Sequence, residues 1–392
     1  MNKWRHFGAA ILSVALSACS SAEPPAEPAA TPFVPAVTIF APQPTPVPIE
    51  RAATSAAPSL TSTPEPQAAA VSDVMPASAD NSRPINPFTG LPVSDPAILQ
   101  RRPLLIKVAN TAEVRPQSGL SSADVVVEHL SEGGITRFTA LYLTNMVTKV
   151  GSVRSCRLID IELPKMFDAA LVCSGTSPGV KPLMRNSWAH QNNLTMISDF
   201  GPYECASCPM FRVSERRPPH NLFANTINAW RELDKRNQNV PSTFRAWTFR
   251  EEPPDGKPTQ LIEVVYRSGK VSWTWDAGIG RWQRSLSGKV QVDALNGQPL
   301  TAANVMVVYA HHQTTLIEED VTGAKSIEIQ VWGEGPLRVF RDGREIGGRW
   351  LRGPDVGSFE LRDVNNNPIP LRPGNTWIEF VPILGEVPVN TR

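Results

Sequence analysis

Four arginines stand where they could grip an anion: Arg115, Arg137, Arg154 and Arg157, with Asp124, Glu128 and Asp160 close by in the chain. Arg154 and Arg157 follow Gly151-Ser152 and flank Ser155, where a loop is expected to enter a helix. Backbone N–H groups at such a start, joined by one or two guanidinium forks, can hold a carboxylate or phosphate. A planar guanidinium meets two anionic oxygens at once, which a lysine does not. The plainer account of the cluster is an ion-pair network between these arginines and the three carboxylates. With 28 arginines against 10 lysines, no single arginine is a surprise. The Gly-Ser loop can leave Arg154 open, which favours a ligand there, whereas Arg137 lies within a strand and is expected to be structural.

Pro218-Pro219-His220-Asn221 presents a histidine and an amide on a rigid turn. His220 with an acid among Asp124, Glu128 and Asp160 could do general acid/base work on an envelope polymer, but only beside a nucleophile or water. There is no GxSxG, HExxH or SxxK signature, so a capping or core-satisfied histidine is the simpler expectation. His311-His312 are adjacent and face opposite sides of a strand, and His129 and His190 have no ligand-spaced partner; no metal and no cofactor is expected. Cys205-Ala206-Ser207-Cys208 lacks a second CxxC for zinc and a thioredoxin-like setting, so a structural bridge is preferred to redox chemistry. Cys156 would then pair with Cys173 by elimination, although all three connectivities remain open. Trp273 and Trp275 would share one strand face. Buried, they fill a β core; exposed, they would make a stacking platform for a glycan.

These residues belong to a chain that is expected to be exported. Met1 to His6 carries Lys3 and Arg5, and Phe7 to Leu16 is an apolar run too short for a permanent span. Leu16-Ser17-Ala18-Cys19 looks like the lipobox of bacterial lipoproteins, which predicts a signal peptide over 1–18 and acylation of Cys19. The protein is then extracytoplasmic and held to a bacterial membrane by its lipid. Residues 19–82 read as a disordered tether: from Ser21 to Asp80 there are 13 prolines and 15 alanines, a composition that cannot bury a core. Of 392 residues 41% are hydrophobic, and the net charge is +1. That balance gives no electrostatic footprint for nucleic acid.

The folded body divides by pattern. Residues 83–252 mix strands and helices. Leu104 to Ala109 and Ala169 to Ser174 read as buried strands. Asp124 to Leu130 and Ile135 to Thr144 form a hairpin over Ser131-Glu132-Gly133-Gly134, and helices are expected over Arg157 to Phe167 and Thr226 to Arg236. This is an α/β domain with a mixed sheet. Pro253 to Pro258 reads as a linker, and residues 259–392 are short alternating runs between turns, an all-β domain.

Several motifs in one order resemble the YerB-type bacterial lipoproteins, a family whose biochemical function is uncharacterised. They include Asn86-Pro87-Phe88-Thr89-Gly90, Arg115-Pro116-Gln117-Ser118-Gly119-Leu120, Glu132 to Phe138, Gly151-Ser152-Val153-Arg154-Ser155, Pro219-His220-Asn221-Leu222 and Pro373-Gly374-Asn375-Thr376-Trp377-Ile378. The resemblance spans roughly Ile85 to Pro382 and implies two domains and a surface-anchored lipoprotein, with no established reaction. Cys156 and Cys173 depart from the family's pattern. The reading that follows is a membrane-anchored binding or interaction module for an anionic ligand or an envelope polymer or protein. The alternatives are a hydrolase or transferase on an envelope polymer, and a scaffold without a small ligand.

Overall fold

A computed structural model describes residues 83–353, 355 and 357–392. The signal peptide, Cys19 and the tether lie outside the described residues. In the first half the strands used below are β1 (Leu104–Ala109), β2 (Val125–Leu130), β3 (Thr136–Tyr142), β4 (Ala170–Cys173) and β5 (Thr195–Ile197). The α-helices are α1 (Leu163–Phe167), α2 (Val180–Arg185), α3 (Trp188–Gln191) and α4 (Thr226–Lys235). After residue 252 only strands follow. Those used below are β6 (Leu261–Tyr266), β7 (Gly269–Asp276), β8 (Arg281–Leu286), β9 (Lys289–Val290), β10 (Asn304–Ala310), β11 (Gly333–Arg341), β12 (Arg344–Arg352), β13 (Glu360–Asp363), β14 (Thr376–Pro382) and β15 (Val389–Thr391).

The molecule is built on one long mixed sheet, in the order β13-β12-β11-β10-β14-β2-β3-β1-β4-β5. That sheet crosses the boundary at 253–258. β2 and β14 run parallel, with Val125 opposite Thr376 and Glu128 opposite Glu379. Lys257–Pro258 itself adds as a short strand to β12. Arg341 donates to the carbonyls of Glu251 and Glu252 at 3.2 and 2.9 Å, fastening the approach to that segment. A second sheet, β9-β8-β7-β6-β15, packs on one face of the first. Between them Trp273, Trp282, Phe138 and Trp377 are buried as core, so the tryptophans offer no glycan platform there. The other face carries Leu105, Val127, Phe167, Trp247 and Ile378.

Local chemistry explains the helices. The helix expected over Arg157 to Phe167 is instead a 3₁₀ turn, Leu158–Ile161, followed by the single-turn α1. Pro164 sits in the first turn of α1, where a missing N–H costs nothing and the fixed φ suits a start. α1 stops at Asp168, whose φ is 44°. The Asp168 carboxylate then accepts from the Thr243 N–H at 2.6 Å and pairs with Arg102. α4 is capped by Asn225, which accepts from Ile227 and Asn228 at 3.0 and 3.3 Å. Ala229, Trp230 and Leu233, spaced at i, i+1 and i+4, turn its apolar side inward.

Candidate functional site

The register of β1, β2 and β3 decides which side chains meet. Lys107 and Val127 both lie opposite Thr139, while Ala109 and His129 both lie opposite Arg137. Alternation along each strand therefore puts Lys107, Thr139, His129 and Arg137 on one face of the sheet. Glu128 and Thr136 fall on the other.

The loop 151–157 runs along the end of β1, beyond Leu104–Ile106 where β4 pairs with it. Ala109 N–H donates to the Ser152 carbonyl and Arg154 N–H to the Lys107 carbonyl, both at 3.0 Å. Val153 N–H donates to Leu222, and Ser174 N–H to Arg154. A Cys156–Cys173 disulfide, with Cα atoms 5.7 Å apart, fastens the loop to β4. Cys205–Cys208 is the second bridge, at 4.8 Å between Cα atoms.

Three guanidinium groups face each other here, and they are not equivalent. Arg137 donates to the Ser155 carbonyl at 2.7 Å and to Glu132 at 2.5 Å. Arg157 donates from Nε to the other Glu132 oxygen at 2.7 Å, from one Nη to the first Glu132 oxygen, and from the other Nη to the Cys156 carbonyl at 2.9 Å. Glu319 Oε2 lies 3.3 Å from Arg157. Arg154 is half-buried, and no hydrogen bond or ion pair of its guanidinium is found among the described residues. Burial, then the neighbouring Arg157 charge, pull its pKa down. Two carboxylates against three guanidiniums leave one positive charge, and it sits on Arg154. Burial opposes ionisation of Glu132. The hydrogen bond from Arg157 and the charges of Arg137 and Arg157 outweigh it and hold the carboxyl well below the usual range.

Beneath this layer Lys107 is completely buried. Its ammonium donates to Asp160 at 2.8 Å and to Thr139 at 3.0 Å, and meets His129 Nε2 at 2.6 Å. His129 Nδ1 faces the Leu130 carbonyl at 2.7 Å, which assigns the proton to Nδ1 and makes Nε2 the acceptor. Burial, followed by the Lys107 charge, pushes the imidazole pKa well down, so it stays neutral.

The remaining expected site residues are placed apart from this cluster or engaged elsewhere. Among the described residues Arg115 donates only to Asn110, at 3.2 Å from Nε and 2.5 Å from Nη2. Ser152 Oγ donates to the His220 carbonyl at 2.5 Å and accepts from Arg216 at 3.2 Å. Asn221 is tied to Arg212 and to the Val213 carbonyl. Asp124 accepts from Asn86 at 2.9 Å and from Leu143 N–H at 2.6 Å; Glu128 pairs with Arg284; Asp160 holds Lys107. No contact of His220 with any of these three carboxylates is found among the described residues, and its Nδ1 is buried without a partner. The helix start expected to present N–H groups is also closed: Asp160 Oδ2 takes the Arg157 N–H at 2.7 Å. An anion here would have to rely on side chains.

Sequence reasoning missed Glu132, read only as part of a turn, although a hairpin that places it five residues before Arg137 brings the two together. Glu319 arrives on a ribbon from the second half, and nothing near it in the chain announces Arg157. On the opposite face Arg284, also missed, pairs with Glu128 and packs its guanidinium carbon 4.8 Å from the Trp377 ring centre. Beside them Glu379 accepts from Trp273 at 3.0 Å and Tyr266 at 2.8 Å. Burial, then the Glu128 charge, push its carboxyl up to about 8.

The chain belongs to the DUF3048 family of proteins of unknown function, matching its N-terminal domain over residues 88–239 and its C-terminal domain over residues 262–378. A relative from Bacillus subtilis, named "Putative lipoprotein YerB", is 30% identical over 306 residues, covering 76% of this chain and 86% of the relative. The crystal structure of the YerB protein from Bacillus subtilis matches with a TM-score of 0.66 at 27% identity, covering 79% of this chain and 100% of that one. The resemblance read from the motifs is thereby borne out. Among the described residues no helix is long and apolar enough to cross a membrane.

Proposed function

We propose that the protein is an extracytoplasmic lipoprotein, anchored by acylation of Cys19, whose folded body binds an anionic group through Arg154. One observation carries the ligand reading. Arg137 and Arg157 are satisfied by Glu132 and by backbone carbonyls, whereas the Arg154 guanidinium beside them has no partner among the described residues. A half-buried guanidinium left without a carboxylate, on a backbone held by β1, β4 and Leu222, is a preformed donor for a carboxylate or phosphate. The lipoprotein reading is supported by the lipobox and by the name of the Bacillus subtilis relative.

Because Arg154 repels Arg157 and has no hydrogen-bond or ion-pair partner among the described residues, Arg154→Ala changes stability by less than about 1 kcal/mol. Phosphate at ten times its Kd stabilises the parent by about 1.4 kcal/mol and leaves Arg154→Ala unmoved. Denaturant melts with and without phosphate measure both effects. A large loss for Arg154→Ala, with no phosphate effect on the parent, overturns the reading. Cys19→Ala releases the protein from membranes or leaves the signal uncleaved, read by fractionation and by the mass of the N-terminal peptide. A variant processed and membrane-bound like the parent overturns the anchor.

A further inference from the structure

The second half of the molecule holds a cleft that the Arg154 reading does not use. It has a volume of about 450 Å³ and opens between Arg115-Pro116-Gln117 and the β8–β9 hairpin, on the side of the central sheet opposite Arg154. Its size is that of a pocket for a small ligand. Leu286, Val290 and Val292 give it an apolar wall, and Val290 is 47% exposed with nothing covering it. Two cations stand on its rim. Arg115 hydrogen-bonds only to Asn110, and Lys289 is exposed; neither has a carboxylate partner among the described residues.

Behind the cleft lies a buried ion pair. Arg284, fully buried, pairs with Glu128 through one nitrogen and leaves Nε and Nη1 without hydrogen-bond partners. The Gln291 N–H donates to the Arg284 carbonyl at 3.0 Å, which fixes the backbone of the cleft lining beside that strand. Glu379, pushed up to about 8 by burial and Glu128, is largely protonated at neutral pH and adds little negative charge beside the pair. The lining supplies one more polar demand. Gln291 is buried with its Oε1 unpartnered, an unfavourable state for an acceptor unless a donor arrives from the ligand.

We propose that this cleft binds the C-terminal end of a short apolar peptide. The terminal carboxylate lies between Arg115 and Lys289, the last side chain rests on Leu286, Val290 and Val292, and a peptide N–H donates to Gln291. Each part is needed. Inorganic phosphate has the charge without the apolar body, and a fatty acid has both but no N–H for the buried amide.

The test is calorimetric titration of the chain from residue 20 onward, free of the acylation site. The probes are acetyl-Ala-Ala-Leu as free acid, the same peptide as C-terminal amide, and dodecanoate. The free acid binds, and the amide binds at least about tenfold more weakly, as does the free acid to Lys289→Glu, since each change removes a charge-assisted contact. Val290→Asp weakens the free acid similarly. Both substitutions fall at exposed positions, so they report on the cleft where Arg115→Ala would also loosen Asn110. Arg154→Ala binds the peptide like the parent while losing its response to phosphate, which separates failure of this site from failure of the other. Equal affinity for acid and amide, or no effect of Lys289→Glu, overturns the proposal. Dodecanoate binding as well as the peptide overturns the peptide assignment.

Discussion

Glu132→Ala destabilises the protein by about 3–5 kcal/mol, because one carboxylate serves two guanidiniums and its loss leaves Arg137 buried without a countercharge and Arg157 with Glu319 alone. The Arg137 and Arg157 side chains are only 5% and 9% exposed. Glu132→Gln keeps an acceptor and falls between parent and alanine in a urea melt. The sign of the pH dependence follows from the depressed carboxyl. Its contribution is fully present above the unfolded value of about 4.3 and is lost as pH falls towards the lower folded value. The advantage of the parent over Glu132→Gln therefore shrinks below about pH 4.3 and is flat above it. An alanine variant as stable as the parent would mean that the guanidiniums are not held by this carboxylate.

Asp160→Ala is expected to cost a similar amount, about 3–5 kcal/mol, since it strands the Lys107 ammonium where both partners are 0% exposed. It also frees the Arg157 N–H that Asp160 accepts at 2.7 Å. Burial, opposed by Asp160, lowers the Lys107 pKa to about 8. For a lysine depressed on folding, the unfolded chain binds more protons between the two values, so this group adds stability as pH rises from about 8 towards its unfolded value of about 10.4. Removing Asp160 lowers the folded value further and starts that rise at a lower pH. The deficit of Asp160→Ala against the parent thus narrows as pH rises towards about 8 and is flat above it. Lys107→Met with Asp160→Leu recovers most of the loss, because an apolar pair avoids stranding a charge. A deficit that widens with pH, or a double variant worse than Asp160→Ala, would contradict this account of the buried pair.

The elements that follow local rules were legible in the chain. The hairpin of β2 and β3 announces itself through β-branched runs around Ser131-Glu132-Gly133-Gly134, and α4 through the helical pattern of Thr226 to Arg236. The helix expected from Arg157 is too long because its spacing runs straight through Pro164, which sits in the first turn and starts α1. The pairing of β2 with β14 was not legible, since a parallel register between Val125 and Thr376 leaves no trace in either segment alone. That same long-range pairing positions Glu379 beside Glu128. On the other face, the unread arrival of Glu319 helps to separate a satisfied Arg157 from an unsatisfied Arg154. Residue type and loop context pointed to the arginines; only the fold distinguishes which of them has a partner.

The most direct measurement is an anomalous difference map from crystals of the protein soaked in selenate, a tetrahedral dianion that substitutes for phosphate. The account predicts a selenium peak beside the Arg154 guanidinium, with Arg137 and Arg157 still closed on Glu132. Arg154 folded onto a carboxylate of the protein, with no peak beside it, would contradict it.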